Sequence, residues 1–218
     1  NCGPSMTLHS PSGEKINTTM PLAKAATLLQ ADVILAIRGM GGFHLAVNGC
    51  SPSAVSLLRT RKGRPDKPLA IMVRDVAAAE KFCVLGPVEM AILTSPAHPI
   101  VLLEKRPGTG LAANLAPGID EIGIMLPYTP VHHLLFQMPD CPEALVMTSG
   151  NSSGAPICTA NADALDRLGG IADYFLLHNR EIVTRVDDSV VKVVAGLPLV
   201  LRRARGFVPA PVHVKWQL

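Results

Sequence analysis

The stretch FHLAVNGCSPSAVSLLRTRKGRPDKPLAIMV, residues 43–73, decides the fold class. It contains two apolar runs of strand length, 43–47 and 69–73, on either side of a segment that opens with Ser51 followed by proline. Serine is a preferred helix N-cap and proline is favoured at the first helical position, so this pair predicts a helix that runs to about Lys62. The stretch therefore predicts a strand–helix–strand unit.

The rest of the chain continues this alternation. Strands are predicted at 33–37, 100–103, 121–125 and 144–148, and helices at 21–30, 75–83, 86–94, 130–137 and 160–168. Several more strands, with a Gly-Leu-Pro turn at 196–198, are predicted within 174–203. Alternating strands and helices are typical of an α/β sheet flanked by helices, and the strand-rich end favours a twisted, mixed sheet. Residues 1–20 are polar and turn-rich and are expected to form a lead-in.

Composition places the chain among globular proteins. Its 218 residues are 48% hydrophobic and 17% charged, with a net charge of +3, which excludes a disordered chain. The apolar runs are far shorter than the ~18 residues of a membrane helix, and no basic-then-apolar leader is present. The five cysteines form no CxxC pair, which predicts a reducing, cytoplasmic compartment. Cys50, Cys83 and Cys158 are expected to be buried.

A concentration of cations lies along and after the predicted helix: Arg59, Arg61, Lys62, Arg64 and Lys67. One interpretation is a solvated helix end, where the helix dipole favours basic side chains. The other is a phosphate-binding loop, because Pro65 and Pro68 stiffen the segment and arginine binds phosphate oxygens through two hydrogen bonds. The residues alone leave both interpretations open.

A second candidate site is the polar turn TSGNSSG, residues 148–154, which directly follows the apolar strand predicted at 144–148. Small residues let the backbone approach a ligand closely, and hydroxyl and amide side chains supply donors and acceptors. Polar turns often simply end strands. The position favours a binding site, because ligands of α/β sheets bind at the carboxyl ends of strands.

Other patterns carry less information on their own. RVDDS at 185–189 is compatible with a hairpin turn and an internal ion pair, and RRAR at 202–205 with an exposed basic strand end. The glycine-rich run 39–42 is not GxGxxG, and GxxxxGK[ST] does not occur, so neither a Rossmann site nor a P-loop is supported. His132 and His133 are adjacent on a predicted helix and face different directions, so no metal site is predicted there.

Taken together, the motifs resemble the YrdC-like domain of the hydrogenase-maturation carbamoyltransferases, the HypF family. Seven segments occur in order within residues 34–209: AIRGMGGFHL, LLRTRKGRPDKPLAIM, SPAHPIVLL, IGIMLPYTPVHHLL, VMTSGN, HNREIVTRVDDSV and LRRARGFVP. One such motif is modest evidence, whereas seven in register make a specific match. KGRP and SxNxSG also resemble the threonylcarbamoyl-adenylate synthases Sua5 and YrdC.

The resemblance implies a fold and a reaction. Residues 21–211 would form a twisted α/β sheet with a concave, basic, nucleotide-binding groove. Carbamate and ATP, with Mg²⁺ carried by the nucleotide, would give carbamoyl-adenylate and pyrophosphate. In the HypF family an acylphosphatase-like domain releases carbamate from carbamoyl phosphate, and a further domain passes the carbamoyl group to HypE. The implied partners are therefore HypE and the other domains of HypF, without a membrane.

The same resemblance assigns site residues one by one. Arg38, Lys62 and Arg64 are implied in catalysis, and Arg38, Gly42 and His44 in carbamoyl binding. The implied nucleotide-binding residues are Lys62, Arg64, Thr148, Ser149, Asn151, Ser153, Arg185, Ser189 and Arg202. This chain departs from the family's pattern at Arg38, where lysine is usual, and at 48–50, where Asn-Gly-Cys replaces an acidic run.

The resemblance also bears on the two ends of the chain. Cys2, with the Gly-Pro that follows it, matches the end of a CxxCGP zinc finger that precedes this domain in HypF. Residues 1–20 are therefore expected to be its remnant, with zinc bound only in the region that is missing here. A first residue other than methionine agrees with a fragment. Residues 212–218 are expected to be a linker.

Two alternative functions remain at this point. A threonylcarbamoyl-adenylate synthase for tRNA modification would carry a PTxTxYGL motif where this chain has IRGMGGFHL, residues 37–45. A non-catalytic RNA-binding module would use a basic groove with aromatic side chains for stacking. No aromatic residue interrupts the basic run 59–67, so nucleic acid is not the expected partner.

Overall fold

The computed structural model describes residues 3–152 and 154–212. Its strands are β1 (Met6–His9), β2 (Leu35–Arg38), β3 (Phe43–Asn48), β4 (Ile71–Val73), β5 (Ile100–Glu104), β6 (Glu121–Met125), β7 (Ala144–Ser149), β8 (Tyr174–His178), β9 (Val190–Val194) and β10 (Leu197–Arg202). Its helices are α1 (Pro21–Gln30), α2 (Pro52–Lys62), α3 (Val76–Phe82), α4 (Pro87–Leu93), α5 (Pro130–Phe136) and α6 (Asn161–Leu168), with a short 3₁₀ helix at Ala113–Leu115.

The strands form a single mixed sheet in the order β1-β8-β2-β3-β7-β4-β6-β5-β9-β10. The pairs β2/β8, β4/β6 and β5/β9 are parallel, and the other neighbours are antiparallel. The prediction of a mixed α/β sheet flanked by helices is therefore confirmed.

Helices pack on both faces of the sheet. On one face, α2, α3, α4 and α6 bury their apolar side chains against alternate strand residues such as Phe43, Leu45 and Val47. On the other face, α1 and α5 pack over Ala46 and Met147. Where this second face extends over β6, β5 and β9, its side chains line a cavity. The fold thus leaves a groove beside α1 and α5, and we call this side of the sheet the groove face.

Helix α2 begins and ends where its sequence signals predict. Ser51 Oγ accepts a hydrogen bond from the backbone N–H of Ala54 at 3.2 Å, and proline occupies the first turn. Gly63 follows the helix in the left-handed conformation, with φ of 61°, which glycine adopts without steric cost. These signals place the basic residues of the last turn directly before a fixed loop.

Two predictions about the chain outside the central strands need correction. Residues 1–20 are more than a lead-in, because β1 pairs with β8 and adds an edge to the sheet. The predicted Gly-Leu-Pro turn is also displaced. Ala195 and Gly196, both with positive φ, form a two-residue hairpin connection, and proline 198 lies within edge strand β10. An edge strand tolerates proline because its outer N–H groups are not needed for pairing.

The expected burial of the cysteines holds for two of the three. Cys83 and Cys158 are buried, whereas Cys50 is half-buried. Cys2, Ser153 and residues 213–218, on which the zinc, SxNxSG and linker predictions partly depend, lie outside the described residues. Among the described helices, none combines the length and the hydropathy that a membrane span requires.

Candidate functional site

The loop after α2 is built around the side chain of Arg59, which is only 8% exposed. Its guanidinium donates hydrogen bonds to the backbone carbonyls of five residues: Arg64, Pro65, Lys67, Asn114 and Leu115. The interpretation as a solvated helix end is therefore wrong for Arg59. The side chain holds the loop from inside and fixes the backbone that carries the other cations.

Lys62 is also buried, so the interpretation as a solvated helix end is wrong for this residue as well. Its ammonium donates hydrogen bonds to the carbonyl oxygens of Ser149 and Asn151 and, at 3.0 Å, to Asn151 Oδ1. Burial, and after it the neighbouring guanidinium of Arg64, lower the pKa of Lys62 to about 8. Lys62 thus joins the basic loop to the polar turn and carries a proton that a nearby anion would stabilise.

Arg64 faces the same region and is half-buried. Its guanidinium donates to Thr148 Oγ1 at 3.3 Å and to the carbonyl of Pro68 at 3.0 Å, and its buried Nε has no partner within residues 3–152 and 154–212. Burial lowers the pKa of Arg64, and the nearby guanidinium groups of Arg59 and Arg202 lower it further. Several cations held this close together favour an anionic ligand.

The turn after β7 is held by its own side chains. Ser149 Oγ donates to Asn151 Oδ1 at 2.7 Å, and Asn151 Nδ2 donates to the carbonyl of Ala155 at 2.5 Å. A Cβ atom at Gly150 would lie 2.5–2.8 Å from atoms of Phe43, so only glycine fits where the turn crosses β3. The close crossing explains why a small residue is needed at this point of the turn.

Two adjoining cavities lie between these elements. The first, of about 320 Å³, is lined by Lys62, Arg64, Asp66, Lys67, Ser149 and Asn151 among others. The second, of about 170 Å³, lies on the groove face and is lined by Arg64, Thr148, Ser149, Asp187, Asp188 and Arg202 together with apolar strand residues. Because Arg64 and Ser149 line both cavities, the two cavities are neighbours, and cationic and hydroxyl-bearing side chains line them.

The basic segment RRAR, residues 202–205, places one arginine at the cavity wall and another in the interior. Asp187 and Arg202 form an ion pair of 2.6 Å in which both side chains are nearly half exposed. Ser189 is fully buried, and its hydroxyl donates to the carbonyl of Arg205 and accepts from the backbone N–H of Ala204. The prediction of an exposed basic strand end therefore holds for Arg202 but is wrong for Arg205, whose side chain is 12% exposed.

The residues assigned to carbamoyl binding are not brought together as one set. Arg38 pairs with Phe43 across β2 and β3, and His44 pairs with Ile37, so Arg38 and His44 point to opposite faces of the sheet. The Arg38 guanidinium is held by Asn161 Oδ1 and the carbonyl of His178. His44 lies opposite Ser149 and shares its face.

Three further residues were predicted to belong to the site: Gly42, Arg185 and Ser153. A Cβ atom at Gly42 would overlap the side chain of Ile157, so this glycine allows close packing of the 39–42 loop. Arg185 donates to the carbonyl of Ile157 at 2.7 Å and lines neither of the two cavities. Ser153 lies outside the described residues.

Sequence reasoning missed two polar residues that line the second cavity, Asp187 and Asp188, and the buried Arg205 that binds Asp188. Asp188 binds Arg205 at 2.9 Å and lies 3.4 Å from His44. Asp187 and Asp188 lie before β9 and outside the strands, so strand alternation does not predict which of them is buried. The buried carboxylate of Asp188 needs a cation, and Arg205 supplies it.

Comparison with known proteins agrees with this geometry. Residues 27–204 match the family model Sua5/YciO/YrdC, described as telomere recombination. Carbamoyltransferase HypF of Rhizobium leguminosarum bv. viciae is 46% identical over 89% of this chain, and that of Synechocystis sp. is 50% identical over 84%. The chain spans only 26% and 24% of the length of these two relatives.

The chain is also similar in structure to solved HypF proteins. A full-length HypF in a phosphate- and nucleotide-bound form superimposes with a TM-score of 0.89 at 46% identity, over 95% of this chain and 27% of the other. HypF of T. kodakarensis gives 0.91 at 44% identity, over 97% and 27%. Sua5 of P. abyssi complexed with L-threonine, at 20% identity and 0.74 over 87% and 55%, shares the fold. The chain therefore belongs to the Sua5/YciO/YrdC family.

Proposed function

We propose that this chain joins carbamate to ATP, giving carbamoyl-adenylate and pyrophosphate, as one step of HypF-type carbamoyl transfer to HypE. The observation that carries the proposal is the pair of neighbouring cavities that share Arg64 and Ser149, with Lys62 lining the first and Arg202 the second. A polyphosphate needs such a row of cations and donors. The relatives named carbamoyltransferase HypF support the choice of acyl group.

The reaction needs no nucleophile from the protein. A carbamate oxygen attacks the α-phosphorus of ATP, a new P–O bond forms, and the bond to the leaving pyrophosphate breaks. Two anions must approach each other, so catalysis depends on positioning and charge neutralisation. Lys62, Arg64 and Arg202 would supply positive charge from the protein. Mg²⁺ would enter with the nucleotide as part of the substrate.

Thr148, Ser149 and Asn151 would orient the nucleotide, because they lie on the wall that Arg64 and Lys62 hold in place. Of the residues assigned to the carbamoyl group, only His44 shares the groove face with Ser149. His44 lines neither cavity, so the carbamate is not assigned to it. Arg38 is left out of this arrangement, since its guanidinium is held on the other face.

An exchange assay tests the reaction directly. We expect the 218-residue chain to catalyse ATP–pyrophosphate exchange that depends on freshly dissolved carbamate, because formation of the adenylate is reversible. Carbamoyl phosphate should support little exchange, because the proposed nucleophile is carbamate itself. Parallel reactions with each donor, with threonine plus bicarbonate, and without a donor provide the comparison.

The outcomes separate the candidate functions. Exchange with threonine plus bicarbonate instead of carbamate would assign the chain to threonylcarbamoyl-adenylate synthesis. Equal turnover with carbamoyl phosphate, in a preparation free of other HypF domains, would contradict the choice of carbamate as the substrate. RNA binding with no exchange from any donor would favour the binding module.

Nucleotide affinity should depend on pH through Lys62. The pKa of this residue is lowered to about 8, and a bound polyphosphate favours the protonated ammonium. Affinity should therefore be full below pH 8 and fall above it, by at most about tenfold per pH unit. Calorimetric titrations of ATP between pH 7 and 9.5 measure the slope. Lys62→Met should bind more weakly and show no such decline, and equal slopes for both proteins would contradict the assignment.

A further inference from the structure

A buried polar cluster reaches the groove at Asp188, which lines the 170 Å³ cavity together with Asp187 and Arg202. We call it the Asp188 cluster, and it consists of His44, Tyr128, Asp188 and Arg205. His44 Nε2 lies 3.4 Å from Asp188 Oδ2 and 3.2 Å from the Tyr128 hydroxyl. The Arg205 guanidinium donates to Asp188 Oδ1 and lies 3.5 Å from the centre of the Tyr128 ring.

The buried carboxylate of Asp188 is stabilised by its partners in the cluster. Burial opposes the ionisation of Asp188, yet His44 and Arg205 together hold its pKa well below the usual range. Arg205 also donates to the carbonyls of Ala97 and His98. Removing Arg205 would leave the buried carboxylate without a compensating charge, which is strongly unfavourable.

This cluster holds the end of β10 and the residues after it, 202–207, which we call the arginine strap. The backbone N–H of Arg205 donates to the carbonyl of Asp187 at 3.1 Å, and the Ser189 hydroxyl bridges Ala204 and Arg205. A Cβ atom at Gly206 would lie 2.4–2.6 Å from atoms of Ala97, so the strap lies directly on its neighbour. The strap is therefore fixed on both sides.

The groove residues are close to these anchors in sequence. Asp187 precedes the buried Asp188, and Arg202 lies three residues before the buried Arg205. Asp187 and Arg202 both line the 170 Å³ cavity. The position of each groove side chain thus depends on a neighbour that is held in the cluster.

We infer that His44 is a positioning residue, which holds Asp188 and through it Arg205, so that Arg202 stays at the groove wall where a phosphate can bind. The inference rests on the proposed function of the groove. Because Nε2 of His44 is directed at Asp188 and Tyr128, the residue acts through the wall and not by touching the carbamate.

His132 provides a matched comparison within the same cluster of rings. Its ring centre lies 5.8 Å from that of His44 and 4.8 Å from that of Tyr128. It is fully buried, and neither ring nitrogen has a hydrogen-bond partner in the part of the chain that the structure describes. His132 therefore contributes packing without a connection to Asp188.

The test compares His44→Leu, His44→Gln and His132→Leu in two measurements. The first is hydrogen exchange of the backbone amides of Ala204 and Arg205, whose acceptors belong to Ser189 and Asp187. The second is the Kd for ATP with Mg²⁺, together with kcat in the exchange assay. We expect His44→Leu to deprotect both amides and weaken ATP binding about tenfold, because the buried Asp188 loses a hydrogen-bond partner.

The controls define the outcome. His44→Gln, whose amide can reach the position of Nε2, should retain most of the affinity, and His132→Leu should leave both readouts unchanged. If His44→Leu does not fold, Ser189→Ala removes a single hydroxyl from the same connection and should deprotect the same amides. Equal losses from His132→Leu and His44→Leu, or unchanged amides in His44→Leu and Ser189→Ala, would overturn the inference. Failure of the unmodified chain to bind ATP would instead contradict the proposed function, while the amide measurements would still decide the role of His44.

Discussion

Replacing Arg59 with methionine is expected to lower the free energy of unfolding by about 3–5 kcal/mol, because several buried acceptors lose their donor at once and each costs about 1 kcal/mol or more. The guanidinium satisfies carbonyl oxygens from two segments, the loop at 64–67 and the turn at 114–115. Methionine fills a similar volume without donating hydrogen bonds, so the effect isolates the lost donors.

Equilibrium unfolding in urea measures this change, and Arg61→Met is the matched control. Arg61 lies on the same helix but is exposed, and it binds Asp173 and one backbone carbonyl. Its loss should cost less than about 1 kcal/mol, as expected for an exposed ion pair. If Arg59→Met were no more destabilising than Arg61→Met, Arg59 would have no special structural role and could be available to a ligand after all.

The role of Arg59 could have been predicted from helical periodicity. Val55, Leu58, Arg59 and Lys62 follow the spacing i, i+3, i+4, i+7, and all four are buried. Treating 59–67 as one basic run concealed this pattern, because charge suggested exposure. The cap at Ser51 and the glycine after the helix were predictable, because each of these signals acts within a few residues of the chain.

The separation of Arg38 from His44 could not be predicted in the same way. It depends on strand pairing, in which Arg38 lies opposite Phe43 and His44 opposite Ile37. The predicted strand at 33–37 ended one residue short of Arg38, and alternation makes the boundary and register decide which face a side chain takes. Motif similarity places these residues near each other in sequence without indicating the face of either.

The Asp188 cluster is a second feature that the sequence could not predict. Its members come from β3, the loop before α5, the approach to β9 and the arginine strap, and His44 is separated from Asp188 by 144 residues. No local pattern connects them. Four residues that resemblance assigned to the nucleotide occur within short motifs, KGRP and TSGN, and line one cavity: Lys62, Arg64, Ser149 and Asn151.

Arg64→Met is expected to weaken ATP binding by about 1–3 kcal/mol, the range for a lost charge-assisted hydrogen bond, without much change in stability. Arg64 lines both cavities, and its guanidinium has N–H groups beyond the two that donate to Thr148 and Pro68, so it can bind a phosphate as well. Lys62→Met should cause a similar loss of affinity. It should also lower the stability of the free protein, because the carbonyls of Ser149 and Asn151 lose their shared donor.

Calorimetry of ATP binding and urea unfolding of each variant separate these two contributions, and Lys67→Met serves as the control. Lys67 lines the 320 Å³ cavity but is exposed, so it contributes charge without a fixed position. If general positive charge were sufficient, its loss would weaken binding as much as the loss of Arg64. If defined geometry is required, Lys67→Met should change the Kd less than about threefold, as expected for a solvated charge. Equal effects of all three substitutions would contradict a phosphate site built from Lys62 and Arg64, and would leave only a diffuse basic surface.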